Sequence, residues 1–155
     1  MSEASWEDNW NSIIRRILFQ DEQLRTLMKL PEKATILDFR DKYFIQAGYT
    51  SRTLTNEPIR IVYGHMNVGD DLNSEAVSMM KLSFDIYVQN EYLFNATADR
   101  LQMRTNLIAD RIQKLLKQQR YVYGYRFYNP KRSNMGTSTV GYSRLNLTLS
   151  YMRTD

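Results

Sequence analysis

Cysteine is absent from this 155-residue chain, and histidine occurs once, as His65. The first absence excludes disulfides, thiolate nucleophiles and thiolate metal sites. The second leaves a single imidazole without the Cys or matched carboxylates that a metal centre needs. Glycine and proline are sparse, six and three residues. The glycines fall mostly in turns and form neither a phosphate-cradling loop nor a dinucleotide fingerprint. No nucleophile elbow accompanies His65, which reads as a loop histidine. No apolar run reaches the roughly 18 residues of a membrane helix, so no membrane contact is expected. These absences together lead us to expect no catalytic residues, no cofactor, no metal and no enzyme activity.

What is present is enough for a core. Hydrophobic residues make up 43 % of the chain and aromatics 12 %, which argues against compositional disorder. The length fits one domain, taken as residues 1–155. The formal net charge is +4, and the two signs are interspersed. A dedicated nucleic-acid binder more often concentrates its bases in a stripe, so this charge permits contact with DNA without demanding it. The start, MSEASWEDNW, is acidic and aromatic rather than basic then apolar. It does not read as a signal peptide, and folding in the cytosol is expected.

Hydrophobic spacing predicts a helix over about 5–29. Ser5 is its N-cap and Trp6, Trp10, Ile13, Ile17 and Leu24 lie close to one face. A connector at about 31–58 follows, with ILDFRDKYF readable as a short helix or an extended arm. A strand at 59–63 and the alternating stretch KLSFDIYV suggest an antiparallel hairpin around a long loop, 64–78. In that stretch Leu82, Phe84, Ile86 and Val88 face one side. A second helix is expected at about 95–119 and a third strand at 121–128. The loop 129–141 then leads to RLNLTLSYMR, where Leu145, Leu147, Leu149 and Tyr151 alternate with polar residues. The order α-β-β-α-β-β predicts an α+β fold. Its mainly antiparallel four-stranded sheet would pack against two main helices, in a sheet-helix-sheet core at about 59–152.

Few residues gather into candidate chemistry. Asp70, Asp71 and Glu75 do not match an EF-hand loop and read as a solvated acidic stretch. Asp85, Asp99 and Asp110 are scattered. Tyrosine is abundant, at eleven residues, and Tyr121, Tyr123, Tyr125 and Tyr128 cluster beside Arg126, Lys131 and Arg132. Three readings of that cluster stand side by side. One is base stacking with phosphate contacts, as in single-strand binders. A second is a Tyr/Arg-rich protein interface. The third is ordinary strand packing with exposed hydroxyls.

The stretch KLSFDIYVQNEYLFNATADRLQMRTNLIADRIQKLL resembles the tail terminator, or tail-completion, proteins of tailed bacteriophages. In these an alternating strand containing an Asp passes through a short polar joint into an amphipathic helix. The later strand, long loop and final strand YSRLNLTLSYM follow the same order, so the resemblance covers roughly residues 59–152. It implies a structural virion protein of the phage neck, made in the host cytoplasm and without catalysis. Its partners would be further copies of itself in a ring (a hexamer), the tail-tube protein and the head-closure or stopper protein. DNA would pass through the channel without sequence recognition. On that reading Met66, Asp70, Asp71, Lys131, Arg132 and Met135, from the two long loops, would contact neighbouring subunits or the tube. Arg126, Lys131 and Arg132 could instead face the DNA. Two alternatives remain open: another neck component, such as a head-closure or connector protein, and a nucleic-acid-binding module using the Tyr/Arg-rich strand.

Overall fold

In the computed structural model, which describes residues 6–49, 57–69, 77–96, 100–118, 126–135 and 141–154, the expected first helix is two. Helix α1 spans Trp6–Gln20 and α2 spans Glu22–Leu27. Asp21 is the break: its backbone is extended and its carboxylate accepts the Leu24 N–H at 2.8 Å, so it caps α2. The buried stripe of α1 is Trp10, Ile14 and Leu18, while Ile13 and Ile17 pack only partly. The stripe is thus rotated from the expected one towards strict four-residue spacing.

The connector is structured where it is described. Thr35 and Asp38 form a capping box that starts the short helix α3, Ile36–Asp38. A wider π turn follows at Phe39–Tyr43, and the chain then straightens into β1, Phe44–Gln46. Of the two readings of ILDFRDKYF, the helix is the one realised: Ile36–Tyr43 is helical, and only the last residue, Phe44, enters a strand.

The remaining strands are β2 (Ile59–Gly69), β3 (Val77–Gln89), a small ribbon of β4 (Phe94–Ala96) with β5 (Leu101–Met103), then β6 (Phe127–Met135) and β7 (Tyr142–Thr154). Helix α4, Arg104–Gln118, follows the ribbon. The fold is α+β, as expected, but the main sheet has five strands in the order β1-β2-β3-β7-β6. It is mixed, because β1 runs parallel to β2 while the other pairs are antiparallel. The fifth strand came from the connector, whose three-residue strand is too short to show a period of two.

Two expected loops are shorter than the sequence suggested. Strand β2 continues through Gly69, and β6 occupies Phe127–Met135. Met66, Lys131, Arg132 and Met135 are therefore strand residues, while Asp70, Asp71 and Tyr121–Tyr125 lie outside the described residues. The second helix starts later than expected. Leu101 sits on β5 with its side chain exposed, and Ala98 and Asp99 are outside the described residues.

One sheet face forms the core. Leu82, Phe84, Ile86, Val88, Leu145, Leu147, Leu149 and Tyr151 are all buried on it, as their alternation required. Ile108, Ala109, Ile112 and Leu116 of α4 join the same cluster. Trp10 reaches from α1 onto three strands. Its ring centroid lies 4.8 Å from His65 on β2, 5.6 Å from Phe127 on β6 and 4.4 Å from Tyr151 on β7. A second run of rings, Phe19, Phe39, Phe44 and Tyr63, joins α1 through the π turn to β1 and β2.

Charged groups then fix the helices to one another. Arg111 of α4 donates to both Asp21 oxygens, at 2.8 and 2.6 Å. Arg104 donates to the Leu27 and Tyr92 carbonyls, at 3.0 and 2.8 Å, satisfying an otherwise orphaned end of α2. The Arg111 hydrogen bonds are the main reason the Asp21 carboxyl is held below its ordinary pKa of 3.8; burial opposes them and the Leu24 N–H assists. A depressed carboxyl pKa contributes stability that is present above the unfolded value and lost as pH falls through the folded one. We therefore expect Asp21→Asn to destabilise the protein by about 1.5–3 kcal/mol at neutral pH, with a lower Tm. The gap from the parent chain should close as pH drops below about 4. Thermal melts of both proteins across pH 3–7 check this, and a gap that persists unchanged at pH 3 contradicts it.

Candidate assembly surface

The strand face turned away from the core cluster is ladder-like, because strands pair residue for residue across β2, β3, β7 and β6. Four rungs cross it: Arg60–Tyr87–Arg144–Met135, Val62–Asp85–Asn146–Ser133, Gly64–Ser83–Thr148–Lys131 and Met66–Lys81–Ser150–Tyr128. Lys81, Ser83, Asp85, Tyr87, Arg144, Asn146 and Thr148 are half-buried on it. Arg60 and Ser150 are the buried polar exceptions.

Asp85 organises the middle of this face. It accepts from Arg144 at 3.0 Å and from Asn146 at 2.8 Å, and Asn146 also donates to Ser83. Among the described residues Arg60 has no such partner. It is 1 % exposed, with its guanidinium 5.0 Å from the Tyr87 ring centroid and 5.5 Å from that of Tyr142. Its Nε and Nη1 find no acceptor, and neither does Nε of Arg144. Arg144 lies 5.6 Å from the Tyr87 ring, so one tyrosine sits against two guanidiniums. Burial pushes the Arg60 pKa down, and the nearby Tyr142 and Tyr87 only partly oppose it. Tyr142 is fixed from two sides, donating to the Glu57 carbonyl and accepting from Gln89.

Strand β6 forms one edge of the sheet, with Lys131, Arg132, Ser133 and Asn134 all exposed. A register shift interrupts it between Tyr128 and Lys131, where Asn129 takes a positive φ of 51° beside Pro130. Arg132 lies on the core side of the strand. It pairs with Asp110 of α4 at 2.6 Å and donates to Gln113 at 3.0 Å, clamping the edge to the helix. Arg126 is exposed at the mouth of a cavity of about 440 Å³ between α4 and β6, shared with Gln113, Leu116, Lys117 and Tyr128.

The sequence-derived candidates therefore do not form one cluster. Lys131 and the backbone positions of Met66 and Met135 belong to the ladder face. Arg132 serves the helix contact and Arg126 the cavity, while Asp70 and Asp71 lie outside the described residues. The row Arg60, Tyr87, Arg144 was missed. The signal existed, since Arg60 alternates with Ile59 and Ile61, and Tyr87 with Ile86 and Val88. Only the strand register brings the three side by side.

His65 is not in a loop. It stands on β2, with Nδ1 2.8 Å from the Tyr151 hydroxyl and Nε2 2.5 Å from Asn11 Oδ1. The amide oxygen can only accept, so Nε2 donates to it, and Nδ1 shares a hydrogen bond with the tyrosine hydroxyl. The imidazole thus joins α1 to two strands as a structural group. Among the described residues no three His, Asp or Glu side chains converge on one point, and no helix is long and apolar enough to cross a membrane.

His65→Ala is expected to cost about 1–3 kcal/mol, because Asn11 and Tyr151 lose partly buried partners. Arg132→Ala is expected to cost less than about 1 kcal/mol, because Asp110 is largely exposed. Urea denaturation of the two variants measures both, and an equal cost would sink this ranking.

A family model described as YomW matches residues 11–151. No curated protein matches the chain.

Proposed function

This chain belongs to the YomW family, which is phage-derived, and from that premise we propose that it is a non-enzymatic structural subunit of the phage neck. It works as a tail terminator: copies close into a ring that caps the tail tube and joins it to the head-closure complex. The carrying observation is the ladder face. Helices cover one side of the sheet, while the other presents ordered, half-buried polar side chains running out to an edge strand. Such a surface is preorganised, so little side-chain freedom is lost when another protein packs on it. The alternation of strands and helix that resembles the tail terminators supports the same role.

A second reading follows from the charge of that face. Arg144, Lys81 and Lys131 outnumber Asp85 even without the buried Arg60, so the face suits phosphates as well as carboxylates. On this reading the chain contacts the DNA that passes through the ring.

The test is the mass of the purified chain by light scattering, with and without tail-tube protein, followed by negative-stain imaging. Closed rings, six-membered on the terminator reading, are the expected result. A strict monomer at high concentration, even with tube protein present, overturns the ring. Retention of DNA that weakens steeply with salt, from a chain that never assembles, favours the second reading.

A further inference from the structure

The cavity of about 440 Å³ between α4 and β6 is of a size that takes a ligand or the side chains of a partner. Its lining divides into two chemistries. Leu116, Phe127 and Leu149 make an apolar floor, with Leu116 and Leu149 recessed among the core residues. Gln113, Lys117 and Arg126 bring N–H donors. Gln113 and Lys117 stand four residues apart on α4, so they share one side of that helix. The Gln113 amide oxygen accepts from Arg132, which leaves its N–H groups to offer. Lys117 and Arg126 are both exposed. Among the described residues no carboxylate meets either charge, since the ion pairs there use Arg40, Arg111, Arg132 and Arg144. No acid lines the cavity, and Asp110, three residues before Gln113 on α4, is held by Arg132.

An apolar floor under a rim of cations selects an occupant that is apolar at one end and anionic at the other. We propose that this cavity receives a large apolar side chain of a partner polypeptide, with a carboxylate of the same segment on Lys117 and Arg126. The buried side chain supplies the affinity. The two cations choose the partner, and because they are exposed they meet the carboxylate without the desolvation cost of a buried pair. A nucleotide fits less well. One face of the Phe127 ring is already stacked on Trp10, with centroids 5.6 Å apart and planes 12° from parallel. Leu116 and Leu149 offer branched aliphatic contact in place of the flat face on which a base stacks. The site does not depend on closure of a ring, so it goes beyond the reading above.

Fluorescence anisotropy on the full chain tests this. The probes are a fluorescein-labelled short peptide with phenylalanine set between glutamates, the same peptide with alanine for the phenylalanine, and a labelled oligothymidylate of equal length. The parent chain is expected to bind the first peptide saturably below about 1 mM, and the alanine peptide at least about tenfold more weakly. Lys117→Gln/Arg126→Gln is expected to weaken the first peptide at least about tenfold. Lys81→Gln/Lys131→Gln removes the same charge from the ladder face and is expected to leave that binding unchanged. If the first double variant loses its circular-dichroism spectrum, the alanine peptide on the parent chain decides alone. Equal losses in the two double variants mean that net charge holds the peptide, and overturn the proposal. Absence of saturable binding below that concentration overturns it too. Tighter retention of the oligothymidylate than of the peptide, lost in Lys117→Gln/Arg126→Gln, makes the cavity a nucleic-acid site and the proposal wrong.

Discussion

Trp10 is the side chain on which the rest of the structure depends. It is fully buried, and it touches strands that are far apart in sequence: β2 through His65, β6 through Phe127 and β7 through Tyr151. A helix alone has no preferred place on a sheet. The indole gives it one, because its position is acceptable only when three strands are already in register. Asn11, next in the chain, adds direction by accepting from the imidazole. Loss of an indole from such a site typically costs about 3–5 kcal/mol, a large part of the stability of a chain this size.

With α1 placed, charge completes the packing. The bend at Asp21 lets one carboxylate both cap α2 and hold Arg111 of α4. Arg104 takes the carbonyls of Leu27, at the end of α2, and of Tyr92, just before β4. The helices are therefore fixed relative to one another by a few directional bonds at their ends, and relative to the sheet by apolar burial. The opposite sheet face is held by polar contacts instead, with Asp85 pairing Arg144 and Asn146, and so carries a ladder of polar residues.

The long periodic strands were legible in the sequence. KLSFDIYV and RLNLTLSYMR alternate cleanly, and every apolar residue in the alternation is buried. The α+β class followed from their order. What was hidden depends on partners. β1 has only three residues and is a strand because β2 lies beside it. The extensions of β2 and β6 carry Gly, His, Asn, Pro and Lys, residues whose local preference is for turns, and pairing with β3 and β7 overrides that preference. The same holds for the surface: Arg60, Tyr87 and Arg144 are separate polar residues in the sequence, and only the register makes them neighbours. Lys131 and Arg132 look alike in sequence, yet adjacent strand positions send one to the ladder and the other to α4.

The irregularity in β6 has a consequence for how the molecule behaves in a crowd. Pro130 offers no N–H, Asn129 turns the strand out of plane, and Lys131 brings charge to the rim. An exposed strand without these features is a template onto which any other strand, native or misfolded, can zip. Here the rim is a poor template, which works against uncontrolled edge-to-edge aggregation. A protein that packs on this rim meets side chains before it meets an unbroken row of backbone donors and acceptors, so matching of side chains decides what binds there.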